Sequence, residues 1–344
     1  MKNRKTLWIV TTILIILGFI LTIVGLFSNT KRGIYFNKTG MHIISGEMHE
    51  EKNLDLGVLE EIHINTSYID VIFEESSFYG IEIKLSDGDN PIDWHLQDGK
   101  LEVTEKNETN IKLFSFDFSF LDKNTVPYIK LYLPKDAYLN ILSIKTNNAN
   151  VHLSNFNVKE INLKNKYGKT DIEKIQSNNA KIEIENGDFY VKNMIVDQID
   201  LNSKYGNVAV DDITSDSLHM ELKNGNLKLN NIDTKTMTIK NKYGDIIGKD
   251  ISSIDSFLET KNGNIDLNGN LSGMTESLST YGKIILNLKG EKSYYNLDLN
   301  SKYGKIILDG EKNSNTEISQ IGQNADSKLK IKTNNGDISL YFNP

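Results

Sequence analysis

Seven glycines stand at equal intervals: Gly168, Gly187, Gly206, Gly225, Gly244, Gly263 and Gly282, each nineteen residues after the last. Ala149 holds the same register one step earlier, and Gly304 and Gly336 follow at wider spacing. Self-similarity at a fixed period of this length is the signature of a stacked repeat, in which each unit touches its neighbours alone. A chain with this constraint has few folds open to it.

The residues around each glycine show what repeats. Five positions before it stand Ile144, Leu163, Ile182, Leu201, Met220, Ile239 and Leu258. Two positions after it stand Val151, Thr170, Phe189, Val208, Leu227, Ile246 and Ile265. Lys, Asp, Asn, Glu and Ser alternate with them. Period-two alternation predicts strands with one face buried. We read each unit as two short strands bent at the glycine. No single unit can bury its apolar face, so units stack, with strands about 4.8 Å apart. The expected fold class is all-β: a single-stranded parallel β-helix, or β-solenoid, of 19-residue coils, roughly ten in number, with an N-terminal transmembrane helix. A meander of hairpins is the rival, because Lys-Asn-Gly-Asn is a strong hairpin turn. It gives no reason to hold nineteen residues without insertion. The absence of proline between Lys135 and Asn343 agrees with strands paired on both edges.

The residue before the glycine alternates: Tyr167, Asn186, Tyr205, Asn224, Tyr243, Asn262, Tyr281, with Tyr303 in phase. Its neighbour two positions earlier changes with it, being Asn165, Ser203, Asn241, Ser279 or Ser301 beside Tyr and Ile184, Leu222 or Thr260 beside Asn. Both share the parity of the buried set. The expectation is volume compensation, with the ring filling space that its small neighbour leaves. An exposed aromatic ladder for sugars is the functional alternative.

The N-terminus carries a different signal. Lys2, Arg4 and Lys5 precede an uncharged run, Leu7 to Phe27. As a helix it spans roughly 31 Å, matching a bilayer core. A cleaved signal peptide has a shorter apolar region and a small-residue cleavage site; here the first alanine is Ala137. The expected layout is a cytoplasmic tail (1–6), a transmembrane anchor (7–27) and an irregular membrane-proximal spacer (28–53). A β region follows (54–140), capping the solenoid (141–344), which a polar loop (310–328) interrupts. Turns between strands are expected at Asp87-Gly88 and Asp98-Gly99. The alternating phenylalanines of Ile111 to Asp122 predict a strand on the core or an exposed apolar edge. The protein is expected in the cell membrane, single-pass, with the N-terminus cytoplasmic and the bulk extracellular.

The segment "YIKLYLPKDAYLNILSIKTNNANVHL", followed by repeated "KYGxI" and "KNGxI" units, resembles a bacterial adhesin-type β-strand-repeat domain family of unknown function. The resemblance covers roughly Leu54 to Phe342. It implies a right-handed β-helix, often behind a membrane anchor. It also implies kinship with envelope-stress systems of Gram-positive bacteria. It carries over no catalytic residues.

The chemistry of the chain is sparse. There is no cysteine, so no disulfide, thiolate site or cysteine nucleophile. The net charge of −7 argues against nucleic acid as partner. Six scattered histidines form no zinc-protease motif, and no nucleophile elbow or phosphate loop is present. Neither enzyme activity nor a cofactor is expected. Asp188, Asp245 and Asp337 after the glycines alternate with Asn and with Lys169, Lys283 and Lys305, which a calcium ladder would not tolerate.

One row remains. Two positions before the glycines stand Lys166, Lys204, Lys223, Lys242, Lys261 and Lys302. Stacked like charges are unfavourable unless solvated or matched by an anion. They are the candidate stripe for an anionic envelope polymer or lipid headgroups. The bland alternative is a solvated face beside Glu183, Glu221 and Glu259. The expected function is a membrane-anchored, adhesin-like binding or scaffold protein of the bacterial cell envelope, contacting a polymer or surface ligand. A regulatory partner of a membrane stress sensor is the alternative, and a polysaccharide-active enzyme a more distant one.

Overall fold

A computed structural model describes Trp8 and residues 10–20, 33–37, 40–44, 47–86, 89–106, 114–117 and 126–343. For 33–37, 40–44 and 114–117 it describes the backbone alone. The chain divides into two units.

In the smaller unit, Gly33–Asn37 pairs antiparallel with Gly40–Ile44 on one side and with Phe114–Asp117 on the other. The stretch read as an irregular spacer, 28–53, therefore contains strands, including Met48–Asn53. Short β-prone runs such as Ile34-Tyr35-Phe36 were enough to pair once a partner strand was available. The rest of the phenylalanine run and the Asp87-Gly88 turn lie outside the described residues. Trp8 and residues 10–20 are helical with exposed apolar side chains. Among the described residues no helix is long and apolar enough to cross a membrane. The expected span, 7–27, extends beyond them.

The larger unit is a solenoid-like parallel stack. Val151–Tyr167, Thr170–Asn186, Phe189–Tyr205, Val208–Asn224, Leu227–Tyr243 and Ile246–Asn262 each form one 17-residue strand that bends around a coil. Between these six strands each paired residue lies against the one nineteen positions on: Leu201 against Met220, and Met220 against Ile239. All three are fully buried. Burying one such aliphatic side chain is worth about 1.5–3 kcal/mol, and each coil buries several.

A coil has three buried faces, where two strands were expected. In Phe189–Tyr205 the inward residues are Phe189 and Val191, then Met194 and Val196, then Ile199, Leu201 and Ser203. Between the sets come pairs of consecutive outward residues, Lys192-Asn193 and Asp197-Gln198. The first corner is left-handed: Asn155, Lys174, Asn193, Asp212, Asn231 and Asp250 have φ between 52° and 60°. Asn and Asp tolerate that conformation best after glycine. At the second, Thr234 and Ser253 hydroxyls donate to the carbonyls of Thr236 (3.1 Å) and Asp255 (3.0 Å). The third corner is the glycine itself. A Cβ on Gly206 would lie 2.1 Å from the carbonyl oxygen of Gly187, and one on Gly225 1.8 Å from that of Gly206. Coils approach so closely there that no side chain fits, which is why the period is written in glycine.

At both ends the order of layers departs from the order of the chain. Glu61–Thr66 lies beneath Tyr138–Asn148, with Ile64 paired to Ile144, and Lys100–Glu105 lies beneath Glu61–Thr66. Asp98 and Gly99, both with positive φ, make the predicted turn into Lys100–Glu105. At the other end, Ser327–Asn335 sits between Met274–Tyr281 and Tyr295–Ser301. Likewise Ile338–Asn343 sits between Ile284–Lys289 and Ile306–Leu308. The last coil in sequence is thus not the last in space. The segment read as a polar loop, 310–328, holds two short strands. After the turn at Asp309-Gly310 the chain reverses, and Glu311–Asn313 and Glu317–Gln320 run antiparallel along Ile306–Leu308 and Tyr295–Ser301. A short, charged return strand covers an edge that would otherwise template pairing with other chains.

Candidate binding face

The glycine corner presents side chains outward on both sides. Lys204, Lys223, Lys242 and Lys261 occupy equivalent positions in four consecutive coils and are all exposed. The register fixes this, since Ser203 pairs with Leu222 and Tyr205 with Asn224 on either side of the first two. Lys166 is set apart from these four by Glu185, one coil above it. Lys302 is set apart by two layers, because Thr280 and Asn334 precede it in stacking order. The stripe is therefore four adjacent lysines with two outliers.

Their partners differ. Lys204 bridges to Glu185 at 3.0 Å, and this ammonium holds the Glu185 carboxyl below the ordinary Glu value. Among the described residues Lys223, Lys242 and Lys261 make no ion pair with a carboxylate. Two of the neighbouring glutamates turn to another row: Glu183 pairs with Lys164 at 2.9 Å and Glu221 with Lys240 at 3.2 Å. Those two carboxylates are taken up within their own row and do not neutralise the stripe.

The tyrosines are outside. Tyr205 is 45% and Tyr243 39% exposed, and Tyr167, Tyr281 and Tyr303 are exposed as well. This corrects the expectation of buried rings. Parity breaks at the corner, where the two residues before the glycine both face outward, so no interior space exists for a ring. The small neighbour has another use. Asn165 and Asn241 donate to the carbonyls of Ala149 (3.0 Å) and Gly225 (2.9 Å) in the coil beneath. Ser301 does the same to Gly336 at 2.8 Å. Ile184 and Leu222 are buried as expected.

Lysine and tyrosine form one surface. Lys223 lies 5.7 Å above the Tyr205 ring, Lys242 5.3 Å above Tyr243, Lys166 5.6 Å above Tyr167 and Lys302 5.1 Å above Tyr303. Each cation rests on an aromatic face within the range of cation–π attraction. A shallow groove of about 330 Å³ runs here, lined by Lys204, Lys223 and Lys242 with Ile184, Leu222 and Glu221. Reading the sequence found the lysines but placed the rings inside. The signal that both face out was their position at the corner, directly before the glycine.

The Asp and Asn residues after the glycines have a structural task. Asp188 Oδ1 accepts from Asn207 N (2.8 Å), Asn207 Oδ1 from Asn226 N (3.1 Å) and Asn226 Oδ1 from Asp245 N (3.0 Å). Asp245 Oδ1 accepts from Asn264 N (2.7 Å), and Asn264 Oδ1 from Lys283 N (2.9 Å). The row is a hydrogen-bond ladder along the outside of the corner, and lysine ends each run because it has no acceptor. Among the described residues no group of His, Asp and Glu could hold a metal ion.

The model of the Toastrack DUF4097 family matches this chain over residues 59–267 and again over 181–341. No curated protein matches it. Several solved structures are similar to this chain at low identity. A putative adhesin from Parabacteroides merdae is 16% identical with a TM-score of 0.46, covering 70% of this chain and 96% of its own. A putative lipid binding protein from Parabacteroides distasonis is 14% identical with a TM-score of 0.44, covering 88% and 98%. A putative adhesin from Bacteroides fragilis is 12% identical with a TM-score of 0.35, covering 86% and 97%.

Proposed function

The chain belongs to the Toastrack DUF4097 family, and from that premise we propose that it is a binding scaffold of the bacterial cell envelope. In this reading residues 7–27 anchor it in the cytoplasmic membrane, the stack lies outside the cell, and the lysine–tyrosine face engages a linear anionic envelope polymer. The observation that carries the reading is the column Lys204, Lys223, Lys242 and Lys261, of which Lys204 alone is met by a carboxylate, that of Glu185, among the described residues. Charges repeated at the strand spacing, about 4.8 Å, repel one another, and an anion lying along them relieves that repulsion. The rings of Tyr205 and Tyr243 add flat apolar surface beside the charges, which suits a chain of sugar or polyol units.

The test is sedimentation of the full chain with isolated cell walls, before and after extraction of their anionic polymers. Binding that falls on extraction, weakens with salt and drops at least tenfold on changing Lys204, Lys223, Lys242 and Lys261 to Gln supports the proposal. Binding indifferent to those four changes overturns it. Loss of envelope-stress signalling on replacing residues 1–53, with wall binding absent throughout, would instead favour a regulatory partner of a membrane sensor.

A further inference from the structure

The intercalated C-terminal coil has two unusual properties. It is a complete layer, Ser327–Asn343, joined to the rest of the chain through one exposed connection, 309–326. The layer beneath it is polar. On the face where other coils bury Leu218, Met220 and Leu222, or Met237 and Ile239, the coil Met274–Tyr281 buries Thr275, Ser277 and Ser279. Thr275 Oγ1 and Ser277 Oγ have no hydrogen-bond partner among the described residues, nor has Ser256 Oγ directly below Thr275. Unpaired buried hydroxyls cost free energy, and the small side chains forgo the burial that holds other layers together. The seam between Met274–Tyr281 and Ser327–Asn335 is accordingly a weak joint of the stack, spanned outside by the Glu276–Lys330 ion pair at 2.6 Å.

We propose that the C-terminal coil is exchangeable, and that two copies of this chain form a dimer by each inserting Ser327–Asn343 between the Met274–Lys289 and Tyr295–Leu308 layers of the other. The second copy is the fitting occupant because its coil makes the same contacts, so exchange changes no interface; it releases the coil from both neighbouring layers, the polar Met274–Tyr281 side yielding more readily than the Tyr295–Ser301 side, where Leu297 and Leu299 lie against Leu329 and Ile331. The alternation of the corner supports the slot as a place for this coil. In stacking order Asn335 falls between Tyr281 and Tyr303, and Thr333 between Ser279 and Ser301. The Tyr/Asn pattern, broken in the sequence after Tyr281, is thereby continuous in space. A coil with tyrosine at the Asn335 position would break it.

The experiment mixes nitrogen-15-labelled and unlabelled full chains at high concentration. It then couples touching carboxylate–amine pairs with a zero-length carbodiimide and reads the Glu276–Lys330 cross-link by mass spectrometry. The expected result is mixed-isotope Glu276–Lys330 peptides rising toward roughly half of the total, as random exchange requires. The Lys164–Glu183 cross-link, at 2.9 Å inside the stack, remains single-isotope. Glu276–Lys330 peptides that stay single-isotope at every concentration overturn the proposal. So does equal mixing at Lys164–Glu183, which marks mere aggregation. Thr275→Val with Ser277→Ala removes the two orphaned hydroxyls without loss of volume at the first. It should slow exchange at least tenfold, and an unchanged rate overturns the assignment of the seam.

Discussion

Tyr281 lies in register against Asn335, a residue of the final coil, and the Tyr303 N–H donates to the carbonyl of Asn334 at 3.0 Å from the other side. The outward row at the glycine corner therefore runs Tyr, Asn, Tyr, Asn without interruption through a layer that the chain supplies last. Coils in this stack are matched to their neighbours in space, not to their neighbours in sequence.

Gly206→Ala should unseat the stack. The added Cβ would meet the Gly187 carbonyl oxygen at 2.1 Å, and φ at Gly206 is 121°, where a side chain is strained. No flexible atom can yield, because the contact is backbone. A loss of roughly 4 kcal/mol or more is expected, read as a lowered midpoint in urea denaturation. A variant that melts with the wild type would show that the coils can part at this corner.

Leu222→Ser and Tyr205→Ala separate inside from outside. Leu222 is 5% exposed, so its truncation leaves a cavity and should cost about 2–4 kcal/mol. Tyr205 faces solvent, and its removal should change stability by less than about 0.5 kcal/mol while weakening wall binding. Equal destabilisation by both changes would restore the tyrosine to the core.

Asp245 tests the outer ladder. It accepts from the Asn264 backbone at 2.7 Å. Asp245→Ala leaves that N–H without its partner and should cost about 1 kcal/mol. Asp245→Asn should cost little, since Asn226 and Asn264 serve the same role. Chemical denaturation of the two variants decides, and equal loss in both would point to the charge instead of the hydrogen bond.

Two carboxylates carry a pH signature. Hydrogen bonds from Lys164 to Glu183 and from Lys204 to Glu185 hold both below the ordinary Glu value of 4.5. A depressed folded-state pKa contributes stability above the unfolded value, and that contribution is lost as pH falls through the depressed one. Both pairs are solvent-screened, so the effect on unfolding is slight. Carboxyl carbon shifts followed by NMR should show both glutamates titrating below 4.5. Lys204→Gln should move Glu185 back up more than Glu183. A Glu185 midpoint that does not move with this substitution would refute the pairing.

Much of this architecture was legible in one line of text. Period nineteen counts the residues that go once around, so it sets the register of every layer, and Leu201, Met220 and Ile239 had to meet. The inward alternation followed as well, because side chains of a strand point to opposite faces. Two further corners per coil were written less plainly. The Asn and Asp residues six positions after the glycine marked the first, by their tolerance of left-handed backbone. Tyr205 and Tyr243 misled because alternation counts through a straight strand and fails where the backbone turns.

What only the tertiary structure decided is the order of layers at the ends. Glu61–Thr66, Ser327–Asn343 and Tyr295–Leu308 all carry the inward pattern, and any of them satisfies the register of a neighbouring coil. The choice among them rests on how each open edge is closed, by Lys100–Glu105 at one end and by the antiparallel return of Glu317–Gln320 at the other. Edge closure joins segments far apart in the chain, and a local repeat contains no term for it.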